Sequence, residues 1–269
     1  LKKEAMSLPS VVVSSAAAGN AVMMGGGYFN PLTGFMNVAD AMGCAEKMTT
    51  TKGLFFPVPI LNMVKDPAPI KGAKRIALRD PNVAGNPVLA IQDVEAIEEI
   101  TADQMKIMTD KVYRTDDMEH PGVKAFNTVG NFAVSGPIKV LNYSYFELDF
   151  PETFRTAYQI REEMQKLGWQ KVVAFQTRNP MHRAHEELCR MAYNDVKADG
   201  ILIHMLLGRL KPGDIPADVR DACIRKMVEL YFEPNTASEC DARDVASPIT
   251  RLFPDAVLKP GMQKVGIVG

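Results

Sequence analysis

Lys171-Val172-Val173-Ala174-Phe175-Gln176-Thr177-Arg178-Asn179-Pro180-Met181-His182-Arg183-Ala184-His185 is the stretch on which the architecture of this chain turns. Its first five residues are an apolar run that predicts a short buried β-strand over 171–175. Asn179 and Pro180 have the residue types of a helix N-cap and first helical position. The helix that follows is expected to carry His182, His185, Leu188 and Met191. A strand, a polar turn and a helix opening on two histidines three residues apart make a framework suited to an anion. The helix start offers unpaired backbone N–H groups and a partial positive charge. Arg178 adds a permanent cation whose planar donor fork matches oxyanion oxygens.

Downstream, the spacing extends the helix over 181–197. Asp199-Gly200 reads as a turn and 201–206 as a second apolar strand. Such a β-α-β unit has parallel strands and a right-handed crossover. Ligands of open parallel sheets sit at the carboxyl ends of the strands, which places 176–179 and the loop after Leu207 at one mouth. Upstream, Phe154, Ala157, Tyr158, Met164 and Leu167 recur at helical spacing over 151–167, and Gly168 is a C-terminal stop. Residues 1–150 have a different texture, rich in Gly and Pro. Short strands are expected over 55–63, 75–78, 87–92 and 132–141, with helices over 38–48 and over 101–112, the latter capped by Thr101. Regularly spaced short strands suggest a small barrel or sandwich.

The 269 residues are 46% hydrophobic and carry a formal net charge of −1. That balance supports a sizeable core and gives no electrostatic pull toward nucleic acid or an anionic membrane. Any anion site must therefore be built locally. No apolar run reaches the roughly 18 residues of a membrane-spanning helix; the segment 10–24 is broken by Ser14, Ser15, Gly19 and Asn20. Cys44, Cys189, Cys223 and Cys240 are dispersed and read as reduced thiols of a cytoplasmic protein.

Gln176-Thr177-Arg178-Asn179-Pro180 followed by His182-x-x-His185 resembles the signature of the ATP sulfurylase (sulfate adenylyltransferase) family, in the wider nucleotidylyltransferase superfamily. Residues 27–36 (Gly-Tyr-Phe-Asn-Pro-Leu-Thr-Gly-Phe-Met), 74–80 (Lys-Arg-Ile-Ala-Leu-Arg-Asp) and 206–214 (Leu-Leu-Gly-Arg-Leu-Lys-Pro-Gly-Asp) are similar to the same family, in order. The resemblance runs from about residue 8 to about residue 236. It implies an α/β protein with an N-terminal β-rich domain: a PUA-like β-barrel-type domain over 1–150, then an incomplete Rossmann-like nucleotidylyltransferase parallel sheet over 151–236. Residues 237–269 depart from the pattern, lack the family's Gly-Arg-Asp-His-Ala-Gly motif, and read as a divergent, truncated or chimeric tail. Their last residues, Lys264-Val265-Gly266-Ile267-Val268-Gly269, are like the opening strand of a dinucleotide-binding fold.

The resemblance implies the reversible reaction of ATP and sulfate to adenosine 5′-phosphosulfate and pyrophosphate. It also implies Mg²⁺ carried by ATP rather than by a protein cage, and a homo-oligomer. Arg178, with the Gln176 amide, would hold sulfate. Thr177 and Asn179 would donate to the α-phosphate or the pentacovalent transition state, and His182 and His185 would contact the β- and γ-phosphates. Gln176, Thr177, Arg178, Asn179, His182 and His185 together would bind ATP. Two other readings stand beside this one: an adenylyltransferase with a different acceptor, and a non-catalytic nucleotide-binding remnant. Zinc is an alternative occupant of the histidine pair, although no third ligand is evident. Gly25-Gly26-Gly27 suits a tight turn better than a phosphate loop. His204 is expected to be a satisfied core histidine, and Lys74 and Arg75 an exposed strand start. Arg209 and Lys211, with Gly208 and Gly213, form a basic loop that is either solvated or closes over nucleotide phosphates.

Overall fold

The computed structural model describes residues 1–206, 213–231 and 265–268. Contacts divide the chain into two units, Leu1–Asp149 and Phe150–Gly269. The first runs through α1 (Lys2–Ala5), β1 (Ser10–Val12), α2 (Ser15–Gly25), β2 (Gly34–Phe35), α3 (Val38–Lys47) and β3 (Met63–Val64). It continues with β4 (Arg75–Arg79), β5 (Val88–Asp93), β6 (Ala96–Glu99), α4 (Ala102–Tyr113), α5 (Pro121–Thr128), β7 (Phe132–Val140) and α6 (Phe146–Asp149). The strands join in one seven-stranded sheet along β1-β4-β5-β7-β2, with β3 and β6 also paired to β7. β1 lies parallel to β4, and the other pairs are antiparallel.

β7 serves two sets of partners because it changes course in its middle. Its first half pairs with β3 and β6, Met63 opposite Ala133 and Ile97 opposite Val134. Its second half pairs with β2 and β5, Gly34 opposite Pro137 and Gln92 opposite Ile138. Gly136, at φ 130°, and Pro137 stand at the changeover. Glycine adopts a backbone closed to other residues there, and proline has no ladder donor to lose. A corner of this kind curls a sheet toward a barrel. Ile76, Leu78, Leu89, Ile100, Met108 and Val134 are buried in its core. Among them runs a chain of two amides: Asn62 Nδ2 donates to Gln92 Oε1 at 2.9 Å, and Gln92 Nε2 to the Val134 carbonyl at 2.8 Å, while the buried Asn62 Oδ1 has no partner among the described residues.

Several expectations need correction. The strand expected over 55–63 is reduced to Met63–Val64, because Pro57 and Pro59 offer no N–H to a ladder. Residues 15–25, passed over as a broken apolar run, form α2, capped by Ser14, whose side chain accepts from the Ala17 N–H. The glycine triplet ends that helix, with Gly26 at its C-cap and Gly27 at φ 80°. Arg75 is half-buried rather than exposed, its guanidinium shared between Glu4 and Asp93. Thr101 does cap α4, in a reciprocal capping box with Gln104.

The second unit holds α7 (Ala157–Lys166), β8 (Val172–Thr177), α8 (Arg183–Val196), β9 (Gly200–Met205), α9 (Ala217–Tyr231) and β10 (Val265–Val268). The helix expected over 151–167 begins later, because Thr156 and Gln159 form a capping box that fixes its first turn. β8, β9 and β10 make a parallel sheet in the order β10-β9-β8, with α8 as the crossover between β8 and β9. Lys197 closes α8 in the left-handed conformation. The Asp199 carboxylate then accepts the Gln170 and Lys171 N–H groups, at 2.8 and 2.7 Å. Those bonds, Lys171's first and Gln170's next, lower its pKa. Gly200 opens β9 because a Cβ there would lie 2.4 Å from the Trp169 ring.

One face of the sheet carries Val173, Phe175, Ile201, Ile203 and Met205. These pack with Met181, Cys189, Ile224, Met227 and Val228 from the turn before α8, α8 itself and α9. Burial pushes the Cys44 thiol up to about 11 and the Cys189 thiol up to about 12. Cys44, Cys189 and Cys223 are free, whereas Cys240 lies outside the described residues. Gly208, Arg209 and Lys211 of the basic loop also lie outside them, as does the tail over 237–269 except Val265–Val268. Among the described residues no helix is long and apolar enough to cross a membrane.

Candidate functional site

Thr177 ends β8 and is buried, and its hydroxyl shapes the turn that follows. Oγ1 accepts the Asn179 N–H at 3.1 Å and donates to the Asn179 carbonyl at 3.0 Å. The Leu206 N–H donates to the Thr177 carbonyl at 2.9 Å, so the two strand ends stay joined. Met181 then drops into the core, and only after it does the helix begin. Asn179 is therefore not the N-cap, nor Pro180 the first helical residue. The cap is His182, with extended backbone at φ −140° and ψ 178°.

The cap is built from two imidazoles. His182 Nδ1 accepts the Ala184 N–H, and His185 Nδ1 accepts the His182 N–H, each at 3.3 Å. The rings lie 3.9 Å apart between centroids, and His185 also sits 5.6 Å from the Phe175 ring. An Nδ1 that accepts leaves the ring proton on Nε2. Both rings thus carry a donating Nε2–H at the head of a 14-residue helix. Burial first, and the neighbouring His182 second, lower the His185 pKa.

Gln176 and His204 are register partners across β8 and β9, so their side chains share a sheet face. His204 is half-buried, and desolvation lowers its pKa. Arg178 is exposed and engaged: its Nη2 reaches both Asp214 oxygens, at 2.6 and 2.9 Å. Arg220, from α9, donates through Nη1 to the Arg178 carbonyl at 3.2 Å and to the Leu206 carbonyl. The structure thus brings together Thr177 with Asn179 and His182 with His185. Among the described residues, no hydrogen bond joins Arg178 or Gln176 to either histidine. Nor, among these residues, does any group of three or more His, Cys, Asp or Glu come together to hold a metal ion.

Asp214 and Arg220 escaped sequence reasoning. For Arg220 a signal existed: Arg220, Ile224, Met227 and Val228 are spaced as one helical stripe, and a charge on an apolar stripe calls for a partner. Asp214 carried none, because its contact spans 36 residues.

Both shifted histidines set an expected pH dependence. Unfolded imidazoles protonate near 6.5, and the folded ones resist protonation below that value. Between the two values the unfolded chain binds more protons, so stability rises with pH there. It is fully present above about pH 6.5 and is lost as pH falls toward the folded values. Urea midpoints at about pH 7.5 and about pH 5.5 should therefore differ less in His204→Asn than in the unsubstituted chain. An identical difference in both proteins would refute the assignment.

Residues 1–143 match the PUA-like domain family and residues 151–239 the ATP-sulfurylase family. The chain is 66% identical over 236 residues to a sulfate adenylyltransferase of Allochromatium vinosum, covering 88% of this chain and 59% of that protein. It is equally 66% identical, with the same coverage, to a sulfate adenylyltransferase of Alcanivorax borkumensis. The chain thus spans about three-fifths of the length of these curated relatives. A solved structure titled hexameric APS kinase from Thiobacillus denitrificans matches 99% of this chain and 43% of its own, with a TM-score of 0.59 and 22% identity, a likeness of fold alone. With a PUA-like domain followed directly by an ATP-sulfurylase segment, this chain belongs to the ATP-sulfurylase family.

Proposed function

We propose that the chain carries the oxyanion mouth of a sulfate adenylyltransferase, which joins ATP and sulfate into adenosine 5′-phosphosulfate and pyrophosphate. The observation that carries this reading is the double-imidazole cap, with both Nδ1 atoms committed to backbone N–H groups. Sulfate has no proton to remove, so a general base gains nothing, and the rate must come from positioning and from charge stabilisation. Gln176 and Arg178 hold sulfate for in-line attack on the α-phosphorus. Thr177 and Asn179 fix the turn and donate toward the α-phosphate. His182 and His185 receive the β- and γ-phosphates on Nε2–H, where negative charge grows as pyrophosphate leaves.

The donors present are neutral or cationic, and no acidic cage stands among the described residues. That set fits Mg²⁺ arriving on the nucleotide, where it would offset phosphate charge. Residues 1–150 act as the PUA-like domain and 151–236 as the start of a Rossmann-like adenylyltransferase sheet. The cytoplasm and a homo-oligomeric assembly complete the proposal.

Adenosine 5′-phosphosulfate at 100 times its dissociation constant should stabilise the chain by about 2.7 kcal/mol, read as a rise in melting temperature. Molybdate-dependent release of pyrophosphate from ATP separates sulfate from other acceptors. A melting temperature indifferent to phosphosulfate, together with no molybdate response, would end the proposal.

A further inference from the structure

Arg220 is 2% exposed, on the stripe of α9 that buries Ile224, Met227 and Val228. A guanidinium in that position is costly unless its donors are used. Nη1 spends them on the carbonyls of Arg178 and Leu206, the backbone just beyond β8 and β9. Its Nε has no partner, and no carboxylate pairs with it among the described residues. The contrast with Arg178 is instructive, since there Asp214 cancels the charge. Among the described residues, the charge of Arg220 behind the mouth is thus met by carbonyl dipoles alone.

We propose that Arg220 is a positioning residue of the oxyanion mouth. Its Nη1 group ties the Arg178 backbone to the end of β9, and its charge, unpaired with any carboxylate among the described residues, keeps the mouth attractive to anions while Arg178 is paired with Asp214. The identity of the anion rests on the adenylyl-transfer reading above; the locking of Arg178 does not. Lysine would keep the charge but carry it on a flexible stem, without the rigid planar group that aims both Nη1 N–H bonds at the two carbonyls. Methionine fills similar space without charge and leaves the Arg178 and Leu206 carbonyls without this donor.

Two measurements on the full chain test this in Arg220→Lys and Arg220→Met. Titration calorimetry with adenosine 5′-phosphosulfate should show about tenfold weaker binding for Arg220→Lys, the scale of a hydrogen bond to a charged group, and a larger loss for Arg220→Met. The ¹⁵N NMR signal of the Arg178 guanidinium, assigned by its absence in Arg178→Ala, should broaden in both variants. That of Arg225, which pairs with Asp221 on α9, should stay unchanged, whereas a general packing defect would disturb both. Unaltered phosphosulfate binding in Arg220→Lys, with the Arg178 signal intact, overturns the proposal. If Arg220→Met does not fold, Arg220→Lys decides alone. If the unsubstituted chain binds no phosphosulfate, the adenylyl-transfer reading falls and the Arg178 signal still decides the role of Arg220.

Discussion

Arg178→Ala is expected to slow ATP formation from adenosine 5′-phosphosulfate and pyrophosphate by about 100-fold or more, the usual cost of losing one preorganised donor. The reason lies in what the guanidinium does at rest. Its Nη2 is bound to both oxygens of Asp214, a carboxylate standing where a sulfate oxygen pair would bind. On the proposed function, sulfate would enter by exchange, one anion leaving the guanidinium as another takes it. Removing the fork loses sulfate with no such compensation. Arg178→Lys should fall nearly as far, because an ammonium lacks the rigid planar donor set of a guanidinium. Asp214→Asn should act in the opposite sense, weakening the hold on the guanidinium and lowering the sulfate KM. Near-normal turnover in Arg178→Ala would remove this residue from the site.

Gly136→Ala should cost the first unit more than about 3 kcal/mol, among the largest effects of a single methyl group. Gly136 sits at φ 130°, which an alanine reaches only under strain. The added Cβ would also lie 2.1 Å from the Asp93 carbonyl oxygen and 3.1 Å from the Glu95 nitrogen. Both neighbours are backbone, so no side chain can swing away. Asp93 ends β5, and moving it disturbs the ladder between β5 and β7. Gly34 has the reciprocal problem, a Cβ there falling 2.1 Å from the Gly136 oxygen. Chemical denaturation gives the value directly. A loss under about 1 kcal/mol would mean that β7 can bend without glycine.

Local rules made much of this fold readable. The strands at β4, β5, β7, β8 and β9 follow apolar runs, and α3 and α4 follow helical spacing closed by Asn37 and Thr101 caps. α2 was missed because alanine, glycine and methionine on every side leave no polar face to reveal a period. Residues 55–63 misled in the opposite way, since apolar content predicts a strand that Pro57 and Pro59 cannot build. At the site, the residue types of 176–185 suggest an anion, the reading on which the proposed function is built. The register of the helix start was not legible there, because the Thr177 hydroxyl and the burial of Met181 decide it. Arg220 and Asp214 reach the mouth through tertiary contacts, for which sequence carries no short-range code.

The dual pairing of β7 has a consequence for how the protein is made. β2, β3, β5 and β6 all await partners that begin at Phe132. A ribosome that has released the first hundred residues has released α2, α3 and most strands, but not the one that closes them. Ordering of the N-terminal domain must wait for its last strand to emerge, and loop closure over so long a separation is slow. A nascent chain arrested before Val140 should remain open to protease, and one arrested well beyond it should resist.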